Sequence, residues 1–389
     1  MPRDLRAAVS QRISSHWADR ARELHTHRER LREQLADTER ELERTQRTLA
    51  KVREEMRRAR AGESHVHLPE SQAAFMRLLK ASRRASVPLR QADPASHDPV
   101  HPRRRLFSKL MNNALAASHG LRVAEPLAVW DGRTDIDLAG LPDAFVVKSN
   151  RGAASRGVLP LHRVAPGRYE RADGERTYST EEVVEQMGDR RLSGPFFAEE
   201  LLRPSDGNPL PDDVKFYCCY GRVVHGMIRR VERHGDDDSA SFRYLDADGR
   251  DVAVSPRGPS MQVRRPERYD EMVQWAQLLS RVAPVPFLRV DLYPTVDGIV
   301  FGELTLLPGG DHGFIAEHEG RLGREWEAAQ IRLELDLASG SRPFAMVPGT
   351  HPVPDLLAPW LPAVPADHDL ALAAVRGETS PARDVPAPE

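Results

Sequence analysis

Three stretches of this chain place charged side chains among apolar neighbours, where they are costly unless they have work to do. The first is FLRVDLYPTVDGIVFGELTLLPGG, Phe287 to Gly310. Arg289 and Asp291 stand two apart, as do Glu303 and Thr305, so each pair shares one face of a strand. Val296-Asp297-Gly298 is a tight turn between them, which predicts a hairpin. Paired antiparallel, the four polar side chains meet. Two carboxylates at short range repel unless a cation bridges them, and magnesium prefers a few carboxylates plus phosphate oxygens. The plainer reading is a surface hairpin with ordinary salt bridges, but the flanking Leu, Val, Ile and Phe suit a buried face better. The Leu-Leu-Pro-Gly-Gly that follows can approach a ligand closely.

The second stretch is FVVKSNRGAASRGV, Phe145 to Val158. Lys148 ends an apolar strand, and Gly152 and Gly157 bound a loop of small residues that includes Ser155. An ammonium beside exposed backbone N–H groups suits phosphate. No Gly-Lys-Ser/Thr opens a helix here, so this is not a P-loop. The third stretch is PFFAEELLRPSDGNPLPDDVKFY, Pro195 to Tyr217. Glu199 and Glu200 end an apolar strand, where carboxylates can receive an adenine amino group or ribose hydroxyls. Asp213 and Lys215 open the next strand; edge-strand charges are the alternative.

Lysine itself is informative. The chain has 56 basic residues, yet lysine appears only at 51, 80, 109, 148 and 215. A GC-rich genome explains the general shortage. A compact ammonium still does what a planar guanidinium cannot, so some of the five mark places where arginine does not substitute.

The elements that position these residues follow from pattern. Strands are predicted at 145–148, 195–202, 214–220, 222–230, 287–293 and 299–307, and helices at 107–118, 180–189 and 267–281. The later strands are joined by short turns, which makes an antiparallel meander and an α+β class. Residues 4–60 lack Gly and Pro and carry a heptad row that includes Leu35, Leu42, Leu49 and Met56, with Leu24, Leu31 and Val52 on the second row. A coiled-coil helix is expected over 1–61, inter- or intramolecular, about 50 Å long from residue 24 to 56. Residues 62–105 read as a Pro-rich connector with a short amphipathic piece around Phe75, Leu78 and Leu79. The main domain spans 106–340. Residues 341–389 form a Pro/Ala-rich tail, expected to be disordered from about 366.

Composition closes off several classes. A net charge of −2 offers no global basic field, so no specific nucleic acid is expected. The two cysteines, Cys218 and Cys219, are adjacent, which excludes a disulfide framework and points to a reducing, cytoplasmic setting. No apolar run reaches transmembrane length, and the N-terminus has no secretory h-region.

In order, these pieces resemble the ATP-grasp superfamily, and most closely its TupA-like (teichuronopeptide biosynthesis) branch. LPDAFVVKSNRG, DDVKFYCCYGRVV and FLRVDLYP…FGELTLLPGG carry the resemblance, which covers roughly 105–325. It implies an ATP-grasp fold of two α+β subdomains that hold ATP and Mg2+ between them. By motif position, Lys109 and Lys148 contact phosphates under the loop containing Gly152 and Ser155. Glu199, Glu200 and the backbone near Leu202 meet adenine, with the register open by one residue. Asp213 holds ribose and Lys215 reaches a phosphate. Asp291 and Glu303 hold magnesium, with Thr305 where many relatives carry Asn, so a second metal stays open. Arg289 stabilises the transferring phosphoryl group, and Arg230 or Arg229 faces the acceptor. The implied activity is an ADP-forming carboxylate–amine ligase acting on small-molecule carboxylate and amine substrates. It would add an amino acid or peptide to a polymer precursor or secondary metabolite. A phosphotransferase acting on a hydroxyl, or an ATP-binding coiled-coil scaffold, are the alternatives. The coiled coil implies a homo-oligomer or a partner protein.

Overall fold

Alternating side chains set the faces of two antiparallel sheets. The computed structural model describes residues 75–82, 102–152, 156–189, 192–205, 208, 210–231, 240–256, 260, 262–308 and 313–378. The first sheet contains β1 (Pro126–Trp130), β2 (Ala144–Ser149), β3 (Val158–Ala165), β4 (Arg168–Arg171), β5 (Thr177–Ser179) and β6 (Phe196–Glu200). Their order is β1-β6-β2-β3-β4-β5. The second contains β7 (Asp213–Cys219), β8 (Arg222–Arg230), β9 (Ser241–Leu245), β10 (Leu288–Thr295) and β11 (Gly298–Thr305), in the order β11-β10-β7-β8-β9. All strand pairs within both sheets are antiparallel. The mixed, antiparallel class read from the sequence therefore holds. The long N-terminal helix expected over 1–61 lies outside the described residues.

One face of the second sheet is apolar over its centre. Val214, Phe216, Ile228, Val290 and Leu292 form it, against α2 (Lys109–Ser118) and α4 (Tyr269–Leu279). Ser108 caps α2, its hydroxyl accepting the Met111 N–H. Ser179 and Glu182 form a capping box on α3 (Thr180–Gln186).

The other face of that sheet changes character along its length. At one end Tyr217, Cys219 and Phe287 pack under Leu322 and Trp326 of α5 (Ala316–Ala338). Phe75, on the short helix α1 (75–82), is fully buried there, 5.0 Å from Phe287 and 5.8 Å from Trp326 between ring centroids. The amphipathic piece expected in the connector is thus part of the core. At the other end the same face is polar and carries Asp213, Lys215, Arg289 and Asp291.

The tail departs from expectation. Residues 368–376 form α6 (His368–Arg376), where disorder from about 366 was expected. Ala371, Leu372 and Val375 make a stripe at helical spacing and are buried, with Ala371 and Val375 in the core beside α4. Leu357 is buried in the same core, which makes the Pro-rich segment before α6 a strap. A high proline and alanine content conceals such a stripe, because composition averages over positions that burial separates.

Candidate active site

The polar face is built by register. On β10 and β11, Arg289 lies opposite Thr305 and Asp291 opposite Glu303. Across β10 and β7, Asp291 lies opposite Lys215. Lys215, Asp291 and Glu303 therefore form a row across three strands. Gly302 is the extra residue of a β-bulge on β11. Without that bulge Phe301 and Glu303, two apart, would share a face. With it, Phe301 joins the core and Glu303 turns to the cluster.

Arg289 organises that cluster. Its Nε donates to Asp291 Oδ1 at 2.6 Å, and its Nη2 to Asp291 Oδ2 at 2.6 Å. Nη2 also donates to Glu303 Oε1 at 2.9 Å and to Thr305 Oγ1 at 3.1 Å. The Thr305 hydroxyl donates to Glu303 Oε1 at 2.8 Å. Lys215 Nζ donates to Asp291 Oδ2 at 2.8 Å and also to Asp213 Oδ2. Asp291 is 1% exposed. Burial pushes its carboxyl upward, against the pull of Arg289 and Lys215. Burial also pushes on Glu303, but Arg289, Lys109 and Lys215 together outweigh it and hold that carboxyl at about 2.

The first sheet contributes the facing group. Lys148 of β2 and Glu199 of β6 point the same way on neighbouring strands and form an ion pair. Lys109 stands in the first turn of α2 and donates to the Gly152 carbonyl. Asn150 fixes that arrangement. Its carbonyl oxygen accepts the Lys109 N–H at 3.1 Å, and its Oδ1 accepts the Leu110 N–H at 2.9 Å. Burial lowers the Lys109 ammonium most; Glu303 raises it, Lys148 lowers it and Glu199 raises it. Lys109 thus feels Glu303 of one sheet and Lys148 and Glu199 of the other. Four cations and four carboxylates meet: Lys109, Lys148, Lys215 and Arg289 with Glu199, Asp213, Asp291 and Glu303.

Three expected residues sit elsewhere, or outside the described chain. Glu200 alternates to the opposite face from Glu199; its Oε1 accepts from Arg122 Nη2 at 2.7 Å and from the Glu125 N–H at 3.0 Å. Arg230 is also displaced. Asp213 lies opposite Arg229, so Arg230 points to the other side of β8 and holds Asp212 through Nε at 2.8 Å and Nη2 at 2.7 Å. Arg229 is the arginine that shares the cluster's face, because side chains alternate along a strand. Ser155 lies outside the described residues, as do Gly309 and Gly310. Leu202, just past β6, is partly buried.

The TupA-like ATP-grasp family matches residues 108–326. The chain belongs to that family. No curated protein matches it. Among solved structures, this ATP-grasp chain is similar to D-alanine–D-alanine ligase from Bacillus anthracis complexed with ATP, at TM-score 0.38 and 12% identity, covering 61% of this chain and 70% of that one. It is similar to the ATP-grasp ligase PsnB complexed with minimal precursor, at TM-score 0.30 and 17% identity, covering 58% and 60%. Macrocyclase MdnC from Microcystis aeruginosa MRC, bound with precursor peptide MdnA, matches at TM-score 0.33 and 11% identity, covering 66% and 73%.

The donor set of this ATP-grasp chain fits the ligands its family implies. Asp291, Glu303 and Thr305 offer oxygen ligands only, which suits a hard cation. Among the described residues, no three His, Cys, Asp or Glu side chains form a complete metal cage. Magnesium held by one or two carboxylates, with phosphate oxygens completing its shell, needs no more. Asp213 Oδ1 is buried without a hydrogen-bond partner among the described residues, so it can accept from a bound hydroxyl. Asn150 and Tyr293 were not singled out from the sequence. Tyr293 had a signal, since it continues the alternation Arg289, Asp291 on one face of β10. Asn150 had none, because its role is a contact with a helix distant in sequence.

Proposed function

We propose that this protein is an ATP-dependent, ADP-forming carboxylate–amine ligase that makes an amide or peptide bond through an acylphosphate. The observation that carries the reading is the charged row of Lys215, Asp291 and Glu303 on one sheet together with the Lys148–Glu199 pair on the other. Within an ATP-grasp protein, that is where a triphosphate would lie between two groups of basic side chains.

Each residue then has a task. Lys109 and Lys148 bind phosphate oxygens as compact point charges. Glu199 and the backbone near Leu202 take the adenine, and Asp213 takes the ribose. Asp291, Glu303 and Thr305 would hold magnesium, which supplies neutralisation of phosphate charge and orientation of the transferred group. Arg289, clamped at two nitrogens by Asp291, faces the charge that builds on the phosphoryl group and later on the tetrahedral carbon. Preorganisation of this kind costs no rearrangement at the moment of reaction. Lys215 bridges Asp213 and Asp291, offsetting the repulsion between the two carboxylates, and its ammonium is the one that reaches a phosphate from this sheet. In the chemistry itself, a substrate carboxylate oxygen bonds to the γ-phosphorus as ADP leaves. An amine then bonds to the acyl carbon, phosphate leaves, and the amine gives up a proton. Arg229 lies on the face where an acceptor would enter. The acceptor is an amino acid or peptide, joined to a polymer precursor or secondary metabolite. Assembly through residues 1–60 belongs to the same proposal.

The test is an ADP-release screen against amino acids and carboxylates, with ¹⁸O-labelled carboxylate. Label appearing in phosphate establishes the acylphosphate. Release of AMP and pyrophosphate overturns the reading, and a phosphorylated product stable to hydroxylamine replaces it with a phosphotransferase. Deleting residues 1–60 separates enzyme from scaffold: turnover should persist and only assembly size should change.

A further inference from the structure

Asp213 and Tyr293 are cross-strand neighbours. Asp291 lies opposite Lys215 and Leu292 opposite Val214, so the same register carries Tyr293 to Asp213. Pairs in that relation have β-carbons about 5 Å apart. Both side chains are on the face that holds Arg289 and Asp291. Asp213 uses Oδ2 for Lys215, while its Oδ1 is buried and has no hydrogen-bond partner among the described residues. Tyr293 is partly buried, and its hydroxyl likewise has no hydrogen-bond partner among the described residues. Asp213, Asp291 and Glu303 of its own sheet and Glu199 of the facing sheet all lie within electrostatic reach of it.

Gly302 explains why the ring can sit there. A β-carbon on Gly302 would come within 2.8 Å of Tyr293 Cε2 and 3.0 Å of the Asp291 carbonyl oxygen. The bulge glycine therefore both turns Glu303 toward the cluster and clears room for the tyrosine ring.

An ionised carboxylate only accepts, whereas a phenol can donate. A single ligand group that takes a hydrogen bond from the phenol and gives one to the carboxylate both accepts and donates, as an alcohol does. We propose that Tyr293 is a nucleoside-binding residue, which with Asp213 grips one ribose hydroxyl: the hydroxyl donates to Asp213 Oδ1 and accepts from Tyr293. The assignment rests on reading this cleft as the ATP site, and it makes the pair a reader of one of the two ribose hydroxyls.

The experiment measures binding of ATP, 2′-deoxyATP and 3′-deoxyATP by calorimetry to the full-length wild type and to Tyr293→Phe, with thermal melts to confirm that both fold. Wild type should bind ATP more tightly than one of the two deoxy analogues. Tyr293→Phe should weaken ATP binding about three- to tenfold, the worth of one net hydrogen bond. The variant and wild type should then bind that deoxy analogue equally. If Tyr293→Phe binds all three nucleotides as wild type does, water or solvent serves the pair and the assignment is wrong. If wild type binds no nucleotide at all, the ATP reading fails and this one with it.

Discussion

Replacing Asp291 with asparagine keeps its shape and removes one buried charge, and the structure says what that should cost. Oδ1 takes one donor, Arg289 Nε at 2.6 Å; Oδ2 takes two, Arg289 Nη2 at 2.6 Å and Lys215 Nζ at 2.8 Å. An amide accepts through one oxygen only. The less damaging flip leaves that oxygen with Nη2 and Lys215, and sets the amide NH2 against Arg289 Nε. One charge-assisted bond is then lost, about 1.5–3 kcal/mol. Against this, a carboxylate at 1% exposure is expensive to keep charged, and a neutral amide relieves part of that cost. The net loss should be about 1–3 kcal/mol, a fall in Tm of roughly 2–6 °C for a chain of this size. Turnover should suffer far more. Arg289 loses its two-point clamp and magnesium loses a carboxylate, and removing a single electrostatic stabiliser already costs about 10²–10³-fold. The assay is magnesium-dependent ADP release with the substrates found by screening, run beside a thermal melt. A variant that melts within this range and still turns over within tenfold of wild type would refute the assignment of Asp291.

Three further outcomes are expected. Lys148→Arg should raise the KM for ATP at least tenfold while barely changing Tm, because a planar guanidinium cannot take the place of an ammonium held by Glu199; a fully active enzyme would reduce the lysine pattern to codon bias. Asp212→Asn should lower Tm by a few degrees by releasing Arg230, yet leave ADP release within about threefold, since that pair lies on the far side of β8; a large loss of activity would restore Arg230 to the site. Burial holds His119 and His318 near 4, below the value of about 6.5 in an unfolded chain, so the unfolded state takes up protons first as pH falls; stability should be full above about pH 6.5 and should decline from there towards pH 4, by up to about 3 kcal/mol for each histidine. A melting temperature that stays level from pH 7 to 4.5 would contradict that burial.

What the sequence showed, it showed through alternation. Arg289 with Asp291 and Glu303 with Thr305 share faces because a strand has period two, but the turn pairs Thr295 with Gly298, and the two polar pairs meet only through the Gly302 bulge, which no spacing rule announces. The antiparallel class followed from short connections. What stayed hidden depends on contacts between distant segments. Lys215 stands 76 residues from Asp291, and no spacing rule joins them. Asn150 meets the start of α2 across about 40 residues. Phe75 was legible as the apolar side of a short amphipathic piece, but not that the rings of Tyr217, Phe287, Phe314 and Trp326 receive it. Local pattern reports which way a side chain points, and packing decides what it meets.

The displacement of Arg230 shows where that boundary falls. Arg229 and Arg230 are adjacent and chemically identical, so composition and motif order cannot choose between them. Register can, and it does so through a single fact: Asp213 faces Arg229. A one-residue difference inverts every side chain on a strand. The same logic separates Glu199 from Glu200, of which only Glu199 reaches Lys148. Among the lysines the result is sharper still. Lys80 is exposed on α1, whereas Lys109, Lys148 and Lys215 each touch a carbonyl or carboxylate within one charged cluster. In a chain that uses arginine nearly everywhere else, those three occupy positions on three separate elements that converge only after folding. Codon bias can thin out lysines, but it has no means of gathering the survivors in space.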